Sequence, residues 1–306
     1  MPQQTLADDL AVALDRAADD FAADDCEGAF ARVVPALDAA RRACPSPTDW
    51  RKLAAGLCHP AIDLFRQEPL TARCLARPRG YAGDAVMIDH LYSPPADPRT
   101  VAERLTATHA DSGAGLAVRH RRDLLASRIT ALAEAKPGAR VLSVACGHFR
   151  EYALVPESAR ARLGEVWAVD QDAESLAVVE NQTGGCNVRT IRASIVDWVR
   201  EPPPLEPFDL VYAAGLFDYF LQPTARRIAA ALWAAVKPGG VLLVPNFHPD
   251  TAYRGFMEAV MDWWLVYRTE AELTDLLAQV PPGEIAEVTV TPDPTGSVRY
   301  LEARKR

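Results

Sequence analysis

The chain of 306 residues has no apolar stretch approaching the roughly 18 residues that a membrane-spanning helix needs, so no membrane partner is expected. Its first residues, MPQQTLADDL, lack the basic start and apolar run of a signal peptide. A basic excess is missing too: 33 Lys and Arg stand against 41 Asp and Glu, a net charge of -8, where a nucleic-acid partner wants a basic face. The six cysteines (Cys26, Cys44, Cys58, Cys74, Cys146, Cys186) include no CxxC pair and no histidine spacing that builds a zinc site. They suit a reducing compartment, and the reading is a cytoplasmic protein without a metal site.

What is present is an ordinary globular composition, 49% apolar and 24% charged, on a chain long enough to bury a core. The first part, from about Thr5 to Leu75, is Ala-rich, acidic and helical in pattern, with Leu6, Leu10, Leu14 and Phe21 at helix-compatible spacings. Its paired aspartates at 8 to 9, 19 to 20 and 24 to 25 read as a solvated helix face. Turn formers break the pattern at RPRGYAGDA (77 to 85) and SPPADP (93 to 98), and helix returns from Val101 to Ala135.

From Arg140 the rhythm becomes strand, turn, helix. ARVLSVA, EVWAVDQD, NVRTIRAS, FDLVYAAG and GGVLLVPNF are near-continuous apolar runs, as expected where helices cover both faces of a parallel sheet. Helix ARRIAAALWAAV (225 to 236) precedes the fifth run, with Pro238 and Gly239 in stop positions. After a last helix, EAELTDLLAQV, the segments AEVTVTPD and SVRYLEARK form a terminal hairpin. The expected fold is α/β: a Rossmann-like, doubly wound, seven-stranded sheet over residues 136–306, with an all-helical N-terminal lid domain over residues 1–135.

Ligands of such sheets bind outside the carboxyl ends of the strands, where the strand order reverses. At the first mouth Gly147 permits close backbone approach, and at the second Asp170 lies 23 residues on, the spacing at which a carboxylate grips ribose hydroxyls. One glycine, followed by His148 and Phe149, leaves a loop crowded for a pyrophosphate, so a nucleoside without phosphates fits better than a dinucleotide.

Strand one ending in ACG, the acidic end of VDQD, FDLVYAAGLFDYF and VKPGGVLLVPNF together resemble the motif series of class I S-adenosylmethionine (SAM) dependent methyltransferases. The resemblance implies SAM as cofactor. It places Ala145, Cys146 and Gly147 under the methionine part, Asp170 with Gln171 at the ribose, Ser194 and Ile195 beside adenine, and Gly215 after strand four. Ser143 departs from the pattern, standing where that family often has an acidic residue, and two further loop glycines are absent. RPRGYAGD, ACGxxRE, GLFDYF and NFHPDTAYRGFMEAVMDWWLVYRTEAEL are similar, more narrowly, to the subgroup typified by the synthase of 3-hydroxypalmitic acid methyl ester.

A sulfonium is best held by aromatic faces and carbonyl oxygens, and Tyr219, Phe217, Phe247, Tyr81 and Tyr152 lie near strand mouths or in the loop at 77–84. Tyr219 is the aromatic beside which a methyl acceptor approaches. At the fifth mouth Asn246, His248 and Asp250 are candidates to orient or deprotonate an acceptor, His248 as general base. Arg79 offers a planar fork for a carboxylate, with Tyr81 closing over the sulfonium; the alternative is a linker turn in which Asp84 caps the helix AVMIDHLY. Methyl transfer is an in-line displacement served by alignment, without metal or catalytic triad. Two reactions remain open: methylation of an oxygen or nitrogen of a small molecule in a biosynthetic pathway, a carboxylate among the candidates, or cyclisation of SAM itself to azetidine-2-carboxylate or 1-aminocyclopropane-1-carboxylate with release of methylthioadenosine. The N-terminal helices are open to capping the pocket, contacting a carrier protein or forming a homodimer face.

Overall fold

The computed structural model describes residues 3–184 and 187–306; Met1, Pro2, Gly185 and Cys186 lie outside the described residues. Helices α1 (Gln3–Ala22), α2 (Cys26–Ala43), α3 (Pro47–Ala55), α4 (Pro60–Arg66), α5 (Pro69–Ala76), α6 (Ala85–Tyr92), α7 (Val101–Ala110) and α8 (Gly113–Ala135) come first. There follow β1 (Val141–Val144), α9 (Arg150–Ala153), α10 (Glu157–Arg160), β2 (Val166–Asp170), α11 (Ala173–Thr183), β3 (Val188–Arg192), α12 (Ile195–Arg200) and β4 (Phe208–Tyr212). The chain ends with α13 (Gln222–Ala234), β5 (Val236–Phe247), α14 (Arg254–Ala259), α15 (Glu270–Thr274), β6 (Ile285–Pro292) and β7 (Val298–Lys305). Two compact units result: Met1–Arg119 with Asp250–Trp264, and His120–Pro249 with Leu265–Arg306. The division falls inside α8, earlier than the 135/136 boundary drawn from sequence, and the helical unit takes in an excursion from after β5.

In the helical unit the caps explain the breaks. The aspartates at 24 to 25 are a junction: Asp24 is left-handed (φ 63°), and the Asp25 carboxylate accepts from the Gly28 N–H to start α2. Proline opens α3, α4 and α5 at the first turn, where a missing N–H costs nothing. The expected single helix over 101–135 divides at Asp111 and Ser112, because the Ser112 hydroxyl caps Gly115 and a side chain at Gly115 would lie 2.5 Å from the Ala110 carbonyl oxygen. Phe30, Phe65 and Phe256 form the aromatic centre, with ring centroids 4.9 to 5.3 Å apart.

The second unit carries one seven-stranded sheet in the order β3-β2-β1-β4-β5-β7-β6. Strands β1 to β5 are parallel, and β7 runs antiparallel between β5 and β6. Alternate residues of the central strands feed opposite layers: Leu142, Val144, Val211 and Leu242 pack with Ile228 and Leu232 of α13, whereas Val141, Leu210, Tyr212 and Leu243 pack with Leu125 and Ile129 of α8. The sheet is therefore covered on both faces, as the apolar runs require. Strand β5 begins earlier than its sequence suggests. Val236 is buried opposite Phe208 rather than ending α13, and Pro238, Gly239 (φ 79°) and Gly240 form a bulge in the strand instead of a helix stop. The last helix is short, α15 giving way to a 3-10 turn over Asp275–Gln279.

Gly255 gives a direct check on the helical unit. Helix propensity favours alanine there by roughly 1 kcal/mol. A Cβ, however, would lie 2.6 Å from the Leu37 carbonyl carbon and 2.7 Å from the Asp38 nitrogen, backbone atoms of α2 that cannot yield cheaply. Gly255→Ala should thus destabilise by about 2 kcal/mol in denaturant unfolding, against propensity; a stabilised variant would show that α2 and α14 can separate.

Candidate cofactor and active site

The reversal of strand order falls between β1 and β4, with β2 beyond β1 and β5 beyond β4. The loop after β1 is strained in a regular way: Ala145, Gly147 and Phe149 all have positive φ (53°, 54° and 53°), at alternate positions, and only the middle one is glycine. A left-handed non-glycine residue costs roughly 1–2 kcal/mol. Packing holds Phe149 there: it is 3% exposed and stacks on Tyr152, 5.1 Å between centroids. The Tyr152 hydroxyl donates to Asn187, so this aromatic, expected near the sulfonium, is part of the core.

Asp170 joins the first two mouths. One carboxylate oxygen accepts the Gly147 N–H at 2.8 Å and the other the Asp172 N–H at 2.9 Å, while its own carbonyl accepts from Ala193 after β3. Burial raises its carboxyl pKa. The Gln171 N–H also donates to it, so of the roughly four acceptor directions of a carboxylate about one is left open. Cys146 donates its N–H to Val169, fixing the loop to β2, and burial raises its thiol well above the ordinary range. Gln171 is exposed, its carbonyl accepting from Arg192. Ser194 and Asp197 make a capping box at the start of α12, which commits the Ser194 hydroxyl, and Ile195 is half-buried against the core.

After β4, Gly215 has φ 87°, and a Cβ there would stand 3.3 Å from an Arg121 nitrogen, a cradle that a side chain would fill. The turn Phe217–Tyr219 buries Phe217 and Asp218 and leaves Tyr219 half-buried. Asp218 accepts the Phe247 N–H at 2.8 Å through its carboxylate and the Val266 N–H at 2.7 Å through its carbonyl. Arg268, 1% exposed, completes this corner. It donates to the carbonyls of Phe217 and Phe220, to Gln222 and, at 2.6 Å, to the Asn246 side-chain oxygen.

Asn246 therefore differs from its expected role. Its amide nitrogen donates to the carbonyls of Phe247 and Val266, and the residue is 1% exposed. Because both ends of the amide are engaged in joining β5 to the segment at 266–268, it is framework, not a group presented to a substrate. His248, 9% exposed, pairs its N–H with the Ser297 carbonyl at the end of β5. Arg79 and Tyr81 belong to the helical unit, half-buried in the loop between α5 and α6. That loop is anchored at both ends: Arg77 pairs with Asp262, and Asp84, fully buried, caps α6 while accepting from Arg73 at 2.7 Å. The helix-capping role of Asp84 is thus present in the structure.

The sheet brings Ala145, Cys146, Gly147, Asp170, Gln171, Ser194, Ile195, Gly215, Tyr219, Asn246 and His248 to the carboxyl ends of β1 to β5. Sequence reading missed Glu151, Asp218, Arg268 and Arg121. Each is a charged residue whose burial comes from tertiary packing; Glu151, Asp218 and Arg268 sat within the quoted motifs ACGxxRE, GLFDYF and NFHPDTAYRGFMEAVMDWWLVYRTEAEL, whereas Arg121 lay outside all of them. Among the described residues no group of three His, Cys, Asp or Glu side chains is placed to hold a metal, and no helix is long and apolar enough to cross a membrane.

Asp170, the Gly147 loop tied to it and the cradle at Gly215 all lie at the carboxyl edge of the sheet. Residues 141–240 match the family model described as a methyltransferase domain. The matched segment runs from β1 into β5 and so takes in the parallel part of the Rossmann-like sheet. Over 87 residues the chain is 37% identical to malonyl-[acyl-carrier protein] O-methyltransferase from Halalkalibacterium halodurans, a stretch that is 28% of this chain and 31% of that protein. The chain thus spans about a third of the length of this curated relative. Among solved structures it is similar to a possible exported protein from Bordetella parapertussis, with TM-score 0.61 at 18% identity over 86% of this chain and 99% of that one. It is also similar to magnesium protoporphyrin IX methyltransferase from Synechocystis PCC 6803 with bound SAH, with TM-score 0.50 at 14% identity over 77% of this chain and 98% of that one. At these identities the likeness is one of fold.

Asp218 gives the site a measurable pH signature. Burial raises its carboxyl from 3.8 to about 6, against the pull of the Phe247 N–H and the Arg121 and Arg268 charges. The folded protein then holds this proton more tightly than the unfolded chain. The associated stability is complete below about pH 4 and is lost as pH rises through about 6. Asp218→Asn should remove that dependence, so that between pH 4 and 7 wild type loses stability relative to the variant in urea unfolding. A difference independent of pH would show that Asp218 keeps an ordinary carboxyl.

Proposed function

We propose that this protein is a SAM-dependent methyltransferase that methylates an oxygen or nitrogen of a small biosynthetic acceptor, a carboxylate among the candidates. The observation that carries the reading is the Asp170 carboxylate bridging the β1 loop and the start of α11 at the point of strand reversal, with about one acceptor direction left open. When bound, the cofactor supplies a methyl carbon on a cationic sulfur, and transfer needs an acceptor lone pair in line with the breaking S–CH3 bond. Asp170 would hold the ribose, the backbone at Gly147 would pass beneath the amino-acid chain, and Tyr219 would present its ring to the reacting centre. His248 would take the acceptor's proton where the acceptor carries one.

The relative's name, a malonyl-[acyl-carrier protein] O-methyltransferase, supports oxygen as the atom methylated and a carrier-bound acyl group as one form of acceptor. Arg79 and Tyr81 belong to the same proposal, as residues serving the acceptor, and rest on the sequence pattern alone. The narrower kinship to the 3-hydroxypalmitic acid methyl ester synthase subgroup, and a cytoplasmic location, belong to the same proposal and rest on the sequence patterns alone. Engagement of both ends of the Asn246 amide by Arg268 and Val266 favours methyl transfer over cyclisation of SAM, since a cyclase needs a polar group at the amino-acid end of SAM and this amide is already committed.

Two measurements decide. In calorimetry S-adenosylhomocysteine (SAH) should bind, and Asp170→Ala should weaken it by about 1.5–3 kcal/mol through loss of charge-assisted hydrogen bonds to ribose; unchanged binding would remove Asp170 from the site. Incubated with SAM alone, the protein should leave it nearly intact and release SAH once an acceptor is added. Rapid methylthioadenosine together with a four-carbon amino acid, formed without acceptor, would replace methyl transfer by cyclisation.

A further inference from the structure

Helix α12 turns apolar side chains to solvent. Val196 (57% exposed), Val199 (37%) and the exposed Arg200 stand at positions i, i+3 and i+4 and so share one face, while Trp198, off that face, is buried with Ala225 and Ile228 of α13. Helix α13 packs beside α12 and is entered through Leu221, 71% exposed. These are three of the seven large apolar side chains left exposed among the described residues, gathered on two neighbouring helices. Apolar residues scattered singly over a surface need no explanation, whereas a group of them rimmed by polar residues marks an interaction site.

The rim carries one sign of charge. Across α12 and α13 three arginines, Arg200, Arg226 and Arg227, stand against one acid, Asp197. Asp197 lies about 100° round the helix from Val196, and its carboxylate accepts from the Ser194 N–H and hydroxyl. The next acids, Glu201 and Glu206, lie beyond α12 on the way to β4. Arg226 is held by Asp275, but Arg227, the next residue round α13, is exposed and has no ion-pair partner among the described residues. On a chain of net charge -8, an acidic partner is repelled except where exposed arginines outnumber acids. A second copy of this chain fits poorly here, because a two-fold contact is one patch meeting itself and would set these arginines against one another. The patch also reaches the β4 mouth: Leu221 follows two residues after Tyr219.

We propose that the face formed by α12 and the start of α13 docks an acidic amphipathic helix of the carrier protein that bears the acyl acceptor. Val196, Val199 and Leu221 meet its apolar side, and Arg200 and Arg227 meet its carboxylates. Three apolar side chains make a small interface, which suits a partner that leaves after each turnover. The assignment rests on the carrier-bound form of acceptor proposed above and names the surface that form would use.

The probe is malonyl-loaded acyl-carrier protein, titrated into the full chain by calorimetry at low and at raised salt, with SAH titrated into the same preparations. Wild type should bind the carrier, and more weakly as salt rises, because the arginines are exposed. Arg200→Glu combined with Arg227→Glu should weaken carrier binding roughly 10-fold or more. Val199→Ser combined with Leu221→Ser should weaken it several-fold, with less dependence on salt. SAH affinity should stay within about twofold in both variants, since none of these four side chains belongs to the cofactor site, and it also reports that they fold. No carrier binding by wild type, or unchanged carrier binding in both variants, would overturn the docking surface and leave the cofactor reading in place. Self-association of wild type in sedimentation, abolished in the variants, would give the face to a second copy and overturn the proposal too. Carrier bound with the expected losses in the variants, but no SAH bound by wild type, would overturn the cofactor reading while the docking surface stood.

Discussion

Strand β1 has β2 on one side and β4 on the other, and the chain winds outward from it in both directions. Parallel strands need crossover helices, and helices that leave β1 for opposite sides of the sheet cannot close over its carboxyl end. A crevice is left there by connectivity alone, before any side chain is chosen. Each part of the site is then a way of finishing that crevice. The β1 loop forms its floor, Asp170 ties that floor to β2, and the turn after β4 makes the far wall.

The wall is built from buried charge. Arg268 spends its guanidinium on two backbone carbonyls, Gln222 and Asn246, while Asp218 answers from the turn by accepting two backbone N–H groups. Such groups contribute little net stability compared with apolar packing of the same volume. They are directional, however, and leave the turn one arrangement in which every donor is met. Tyr219 is consequently presented between a buried Asp218 and a half-buried Phe220. The strained β1 loop is the counterpart: Ala145 and Phe149 hold left-handed backbones because Phe149 is locked into the core and the Cys146 and Gly147 N–H groups are tied to β2 and Asp170.

Legibility of the site followed the range of the interaction. Gly147 and Asp170 were readable because their spacing reflects one strand-turn-helix-strand unit, a local geometry with a fixed length. Asn246 was readable as a polar residue at a strand mouth, yet its function as framework depends on Arg268, 22 residues further on. Arg121 carries no local signal at all. On α8 it sits in an arginine-rich stretch, RHRRD, and nothing in that run distinguishes the buried arginine from its half-buried neighbours.

The sequence by itself determined the seven strands, their apolar continuity, the terminal hairpin and the reversal of winding, since these follow from periodicity, turn chemistry and the handedness of parallel crossovers. It also determined that the N-terminal part is helical, through alanine content and apolar spacing. Tertiary structure alone decided that Val236 belongs to a strand and not to a helix end, because burial opposite Phe208 outweighs the stop signal of the following Pro-Gly-Gly. It alone decided that residues 250–264 join the helical unit, where Gly255 meets the backbone of α2 and Phe256 completes an aromatic centre. Which charges are buried was decided there too. A charged side chain has the same sequence signature on a wet face as in a closed corner, and only the partners brought to it by the fold make the second affordable.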